Sequence, residues 1–118
     1  MKLFLLLLFI LDWLLLTVLA LQPASGAPGP LHADKVMHFI AYLQLTGFAY
    51  IITPHMRYFH GICAVIVLYG LGIEIIQGFL PTREASVGDF LANTLGVLMA
   101  VVLVRWIEAK RVLRAGQD

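Results

Sequence analysis

The sequence predicts an all-α, polytopic membrane protein, with four transmembrane helices packed in one bundle and both termini in the cytoplasm. Three observations predict it. The 118-residue chain is 61% hydrophobic and only 13% charged, with a mean hydropathy of +0.92, whereas a soluble domain needs roughly 25% charged residues to cover its surface. Its apolar residues fall into four stretches of similar length, separated by prolines. Its basic residues divide unequally between the two ends of those stretches.

The first stretch runs over 3–21 and stops at Gln22-Pro23, where a Pro/Gly/Ala/Ser segment reaching Pro30 sustains neither helix nor strand. The second covers 36–53 and ends at Pro54, and the third covers 58–80 and ends at Pro81. The fourth covers 87–107 and then dissolves into a basic tail. Each is close to the ~20 residues that cross a hydrocarbon layer of ~30 Å. Lipid offers no hydrogen bonds to a backbone, so such stretches must be helices. The length allows one domain, 1–118. The first stretch has a rival reading as a signal peptide, with Lys2 before it and Ala24-Ser25-Gly26-Ala27 behind. Its long apolar run and the Asp12 at its middle favour a retained helix, and cleavage would leave the later topology unchanged.

Lys2, Arg57, Arg105, Lys110, Arg111 and Arg114 share one side, against Lys35 and Arg83 on the other. Six against two places both termini inside by the positive-inside rule. Tyr58 and Trp106 read as interfacial anchors beside the basic side.

Several function classes drop out. A net charge of +1 and the absence of a basic-aromatic array point away from nucleic acid. Cys63 is the one cysteine, so there is no internal disulfide, and it reads as a small buried hydrophobe. No H-E-x-x-H spacing, Gly-rich phosphate loop or convincing nucleophile is present, and Ser86 reads as a helix cap. His38, Glu74 and Asp89 are the residues a metal site would use, but without such spacing no catalytic residue, metal ligand or cofactor is assigned.

The informative residues gather at the outer face. Asp34, Lys35 and His38 open the second helix with Tyr42 one turn deeper, and Asp34, His38 and Tyr42 span roughly 80° of arc at 100° per residue. The third helix carries Glu74 and Gln77 near its end, with Glu74 about 9 Å below that end at 1.5 Å per residue. Arg83 follows in the turn after Pro81. The fourth helix opens with Ser86, Asp89 and Asn93, continued by the small-residue stripe Ala92, Gly96 and Ala100. A charged group facing lipid costs at least ~2.5 kcal/mol, so these stripes are expected to face one another around a polar pocket. Simpler roles compete. Asp34 reads equally as an N-cap, and Ser86 with Asp89 has capping-box spacing. Asp12, near mid-span, is expected to bond Tyr69 or to be protonated.

Asp34-Lys35-x-x-His38-Phe39-x-x-Tyr42, Glu74-x-x-Gln77, Pro81-x-Arg83 and Asp89-x-x-x-Asn93-x-x-Gly96, in that order, resemble the VanZ-like family of bacterial membrane proteins. The motifs cover about residues 34–100. The resemblance implies a multi-pass protein of the bacterial inner membrane, in a family whose namesake is linked to low-level resistance to the glycopeptide teicoplanin.

Taken with that resemblance, the polar pocket implies a non-enzymatic binding protein of the cell envelope. Its ligand set would be Asp34, Lys35, His38, Tyr42, Glu74, Gln77, Arg83, Asp89 and Asn93. The expected partners, besides the bilayer, are a cell-wall precursor, an anionic lipid or a lipoglycopeptide. Two alternatives stand beside this one: an enzyme acting on a lipid-linked envelope substrate through His38 with Asp34 or Glu74, and a small proton-coupled transporter using Asp12 and Glu74.

Overall fold

The computed structural model describes residues 1–23, 33–53 and 55–117. The Pro/Gly linker after Pro23, with the cleavage-site residues considered above, lies outside them, as does Pro54. Among the described residues the chain is four helices and no strand: α1 (Lys2–Leu21), α2 (Ala33–Ile52), α3 (Met56–Gln77) and α4 (Val87–Ala115). All four are long and apolar enough to cross a membrane.

Three boundaries differ from the expected ones, each for a local reason. α2 starts at Ala33, so Asp34 lies inside the first turn and is not the N-cap. There its carboxylate still favours the positive helix end. α3 ends at Gln77 and not at Leu80. Past it the chain tightens, with Phe79 N–H on the Ile76 carbonyl and Leu80 N–H on the Gln77 carbonyl, both 3.0 Å. Gly78 and Pro81 on either side of those bonds oppose further helix. Glu74 therefore lies roughly 4.5 Å from the helix end, half the depth expected. α4 continues through the basic tail to Ala115, 29 residues in all, or about 44 Å. Trp106 and Lys110, stacked at 3.8 Å, and Glu108 with Arg111 at 2.8 Å are side-chain pairs at helical spacing that extend it beyond the hydrocarbon.

α2 is the central element. It packs most extensively on α4 and also touches α3 and α1, whereas α1 meets only α2 and α3 among the described residues. The α2–α4 contact is close because Gly96 has no side chain. A Cβ there would stand 2.4 Å from the Phe39 carbonyl oxygen and 3.0 Å from the Leu43 nitrogen. Ala92 and Ala100 extend the same small stripe and are buried with it. In lipid, helices associate through such close packing because burial from water contributes little. Leu45, Ala49, Phe59 and Ile66 form the fully buried centre. Leu3, Leu68, Val102 and Phe79 point outward, as lipid-facing residues should.

α1 is the most loosely held helix, with Phe9 its one buried residue. Two mid-span polar contacts hold it. Gln44 Nε2 donates to Asp12 Oδ1 at 2.9 Å, and Thr17 and Tyr69 share a hydroxyl bond of 2.6 Å. This corrects the expected Asp12–Tyr69 pair: Tyr69 is taken by Thr17. A cycle of Asp12→Leu, Gln44→Leu and the double variant is expected to show coupling of about 0.5–2 kcal/mol, because each single change strands one polar group in hydrocarbon. Thermal unfolding in detergent measures it. A double variant destabilised by the sum of the two single effects would show that the pair does not hold α1.

Candidate functional site

The polar residues of α2, α3 and α4 meet where α2 begins, α3 ends and α4 begins. Capping chemistry organises this end. Ser86 is the N-cap of α4, its Oγ accepting from Asp89 N–H at 3.2 Å. In a capping box the residue three positions on would return the favour to the Ser86 N–H. Here Glu74 of α3 does so, with Oε2 accepting from Ser86 N–H at 3.1 Å. Glu74 thus ties the end of α3 to the start of α4. Asp89, freed from the box, turns toward α2.

There it meets Lys35, whose Nζ bridges Asp34 Oδ2 at 3.1 Å and Asp89 Oδ1 at 3.2 Å. Gly88 leaves room for the lysine stem, since a Cβ there would lie 2.8 Å from Lys35 Cε. One turn further along α2, His38 Nδ1 lies 2.9 Å from Asn93 Oδ1. An amide oxygen only accepts, so Nδ1 carries a proton and donates. The other ring nitrogen, Nε2, lies 3.9 Å from Asp89 Oδ2. Asp34, Lys35, His38, Glu74, Asp89 and Asn93 therefore form one assembly across three helices, with Glu74 and Asn93 buried in it.

The remaining sequence-assigned residues serve its edge. Gln77 is buried, its Nε2 donating to the Ala20 carbonyl at 2.7 Å. Arg83 Nε donates to the Gln22 carbonyl at 2.9 Å. Both hold the last turn of α1, whose carbonyls lack partners within their own helix. Tyr42 packs over Gly70, where a Cβ would lie 3.0 Å from its ring, and stacks on Tyr69 with centroids 6.3 Å apart. Between α1, α2 and α3 lies a cleft of about 240 Å³ with Leu16, Leu19, Met37 and Ile73 on its apolar walls and Asp34, His38 and Arg83 at its polar edge.

A second polar group lies at the opposite end of the bundle. Tyr50 donates to Glu108, and Arg111 Nη1 donates to the Tyr50 hydroxyl at 2.7 Å. Sequence reasoning missed it because α4 was expected to end at 107. The Glu108-x-x-Arg111 spacing was the available signal.

The ordered series of motifs is now a set of touching residues, and it matches a known family. The family model for VanZ/LLP1 aligns with residues 3–108. The chain belongs to the VanZ/LLP1 family. The match reaches into all four helices of this VanZ/LLP1 chain, α4 as far as Glu108, and takes in every residue of the polar assembly. It also takes in the first apolar stretch, which contributed little to the motif resemblance. Uncharacterized protein C11E3.10 of Schizosaccharomyces pombe is similar to the chain, 34% identical over 83 residues that make up 68% of this chain and 51% of that protein. The chain thus spans about half the length of that relative. No solved structure matches it. Similarity to a yeast protein means that membership of the VanZ/LLP1 family does not itself fix a bacterial setting.

Proposed function

We propose that this VanZ/LLP1 chain is a multi-pass binding protein that holds the anionic head of an amphiphile at one face of the membrane. The observation that carries this reading is the cleft: apolar along α1 and α2, polar where it meets Asp34, His38 and Arg83. A lipid tail matches the former and a phosphate or carboxylate the latter. Arg83 uses Nε on the α1 backbone, which holds the guanidinium fork at the cleft edge for an anion. Lys35 supplies a second base, and the carboxylates around it orient that base and accept hydroxyls.

The charge distribution supports placing this face outward, with both termini in the cytoplasm. In a bacterial inner membrane the ligands on that side are lipid-linked cell-wall precursors and anionic phospholipids, with teicoplanin-like lipoglycopeptides entering from outside. The yeast similarity favours the chemistry these share with any membrane, an anionic head on an apolar tail. The transporter alternative is weakened by Asp12, which bonds Gln44 at mid-span and does not reach toward Glu74.

Native mass spectrometry of the detergent-solubilised protein tests the reading. A phospholipid or lipid-linked saccharide is expected to co-purify, with occupancy falling at least about tenfold in Arg83→Ala, the loss of one charge-assisted bond of ~1.5–3 kcal/mol. Equal occupancy in the wild type and Arg83→Ala would sink the proposed role of Arg83.

A further inference from the structure

We propose that His38, Glu74 and Asp89 form a binding site for one divalent transition-metal ion of the zinc or manganese kind. This goes beyond the head-group reading and does not depend on it. One ligand atom from each residue lies within 4.8 Å of the other two, although the residues come from α2, α3 and α4 and lie far apart in sequence.

Each ligand is anchored by its other end. His38 Nδ1 donates to Asn93 Oδ1, so Nε2 presents a lone pair when the ring is neutral. Asp89 Oδ1 is held by Lys35, leaving Oδ2 facing that lone pair at 3.9 Å. Glu74 Oε2 is held by the Ser86 N–H. Its other oxygen, Oε1, is buried with no hydrogen-bond partner among the described residues, on a residue only 4% exposed. An imidazole nitrogen and two carboxylate oxygens thus converge as acceptors. A buried acceptor left unpaired is costly, and a cation between the three satisfies all of them at once.

The anchors are what metal sites use to orient their ligands: a hydrogen bond on the far nitrogen of the histidine and on the far oxygen of each carboxylate. Bonds of about 2.0–2.2 Å to nitrogen and oxygen require the ligand atoms to close by about 1 Å, within reach of small side-chain rotations. The imidazole selects zinc over magnesium and calcium, which favour oxygen alone, and the two carboxylates also suit manganese. Three protein ligands also leave a coordination position open.

The test uses the full chain in detergent, stripped with EDTA and titrated with Zn2+ or Mn2+ alone by calorimetry, with bound metal counted by elemental analysis. One ion per chain is expected, with affinity at least about 100-fold weaker in Glu74→Gln and in His38→Ala, and about 10–100-fold weaker in Asn93→Leu, which removes the anchor of His38. Arg83→Ala is expected to bind the metal as the wild type does, whatever it does to lipid. Helical circular dichroism and a single elution peak confirm that each variant is folded. No saturable binding of either ion to the wild type overturns the site. Binding unchanged in both folded variants, Glu74→Gln and His38→Ala, also overturns it and directs attention to His55 and His60.

Discussion

Replacing Gly96 with valine is expected to prevent the protein from accumulating in a folded form. α2 and α4 share the most extensive interface of the bundle, and at Gly96 the backbones nearly touch. Even alanine would place a carbon 2.4 Å from the Phe39 carbonyl oxygen, a backbone atom that cannot rotate away. The helices would have to separate, and the Lys35–Asp89 and His38–Asn93 contacts on the same interface would lengthen with them. Overpacking of a filled core costs about 1–3 kcal/mol for modest insertions. Alanine is expected near the top of that range and valine beyond it. Gly72 supplies the control, since a Cβ there meets nothing within 4 Å. Gly72→Ala is expected to be neutral or to stabilise by up to about 1 kcal/mol through helix propensity. Thermal unfolding in detergent, followed at 222 nm, reads both. A Gly96→Ala variant as stable as Gly72→Ala would show that α2 and α4 do not approach this closely.

Reversing the charge of Lys35 is the second large effect. In Lys35→Glu, Asp34 and Asp89 lose the ammonium that bridges them at 3.1 and 3.2 Å, and a further carboxylate joins them beside Glu74. Lys35 is partly exposed, so solvent screens some of the repulsion and the original pair contributes modestly. Asp89 is far more enclosed, with 14% of its side chain accessible, and like charges set against it are costly. A clear loss of stability is expected, because like charges brought together against an enclosed carboxylate repel one another. The charge-swapped double variant Lys35→Glu/Asp89→Lys is expected to regain part of that stability, because the α2–α4 pair reforms while Asp34 stays unpaired. The comparison is made by unfolding in detergent at low ionic strength, where screening is weakest. No recovery in the double variant would show that the two residues act separately.

Much of the architecture was legible because lipid simplifies the problem. A run such as 3–21 or 87–107 can only be a helix where nothing but the chain itself can bond its backbone. Prolines mark the breaks. Helix ends were less legible, because they depend on which neighbour completes the cap. Gly78 with Pro81 shortened α3, and the Trp106–Lys110 and Glu108–Arg111 pairs carried α4 through a tail that composition alone described as basic. The Ser86 cap was visible as a spacing, but its reciprocal partner was not, because Glu74 arrives from another helix.

For the polar residues, periodicity and depth determined that Asp34, Lys35, His38, Glu74, Asp89 and Asn93 belong at one end of the bundle. Cost in hydrocarbon determined that they face inward. The sequence by itself thus specified a four-helix membrane protein with a polar end, and its ordered motifs specified the family. Only the tertiary structure decided the pairings. It gave Asp12 to Gln44 and Tyr69 to Thr17, and it turned Gln77 and Arg83 to the backbone of α1. It also brought an imidazole nitrogen and two carboxylate oxygens together from three helices. The physical reason is that hydrophobic period and helix length fix depth and face along each helix, whereas partners depend on how helices approach one another. Here that approach is governed by the missing side chain of Gly96, a feature whose effect is visible only once α2 lies against it.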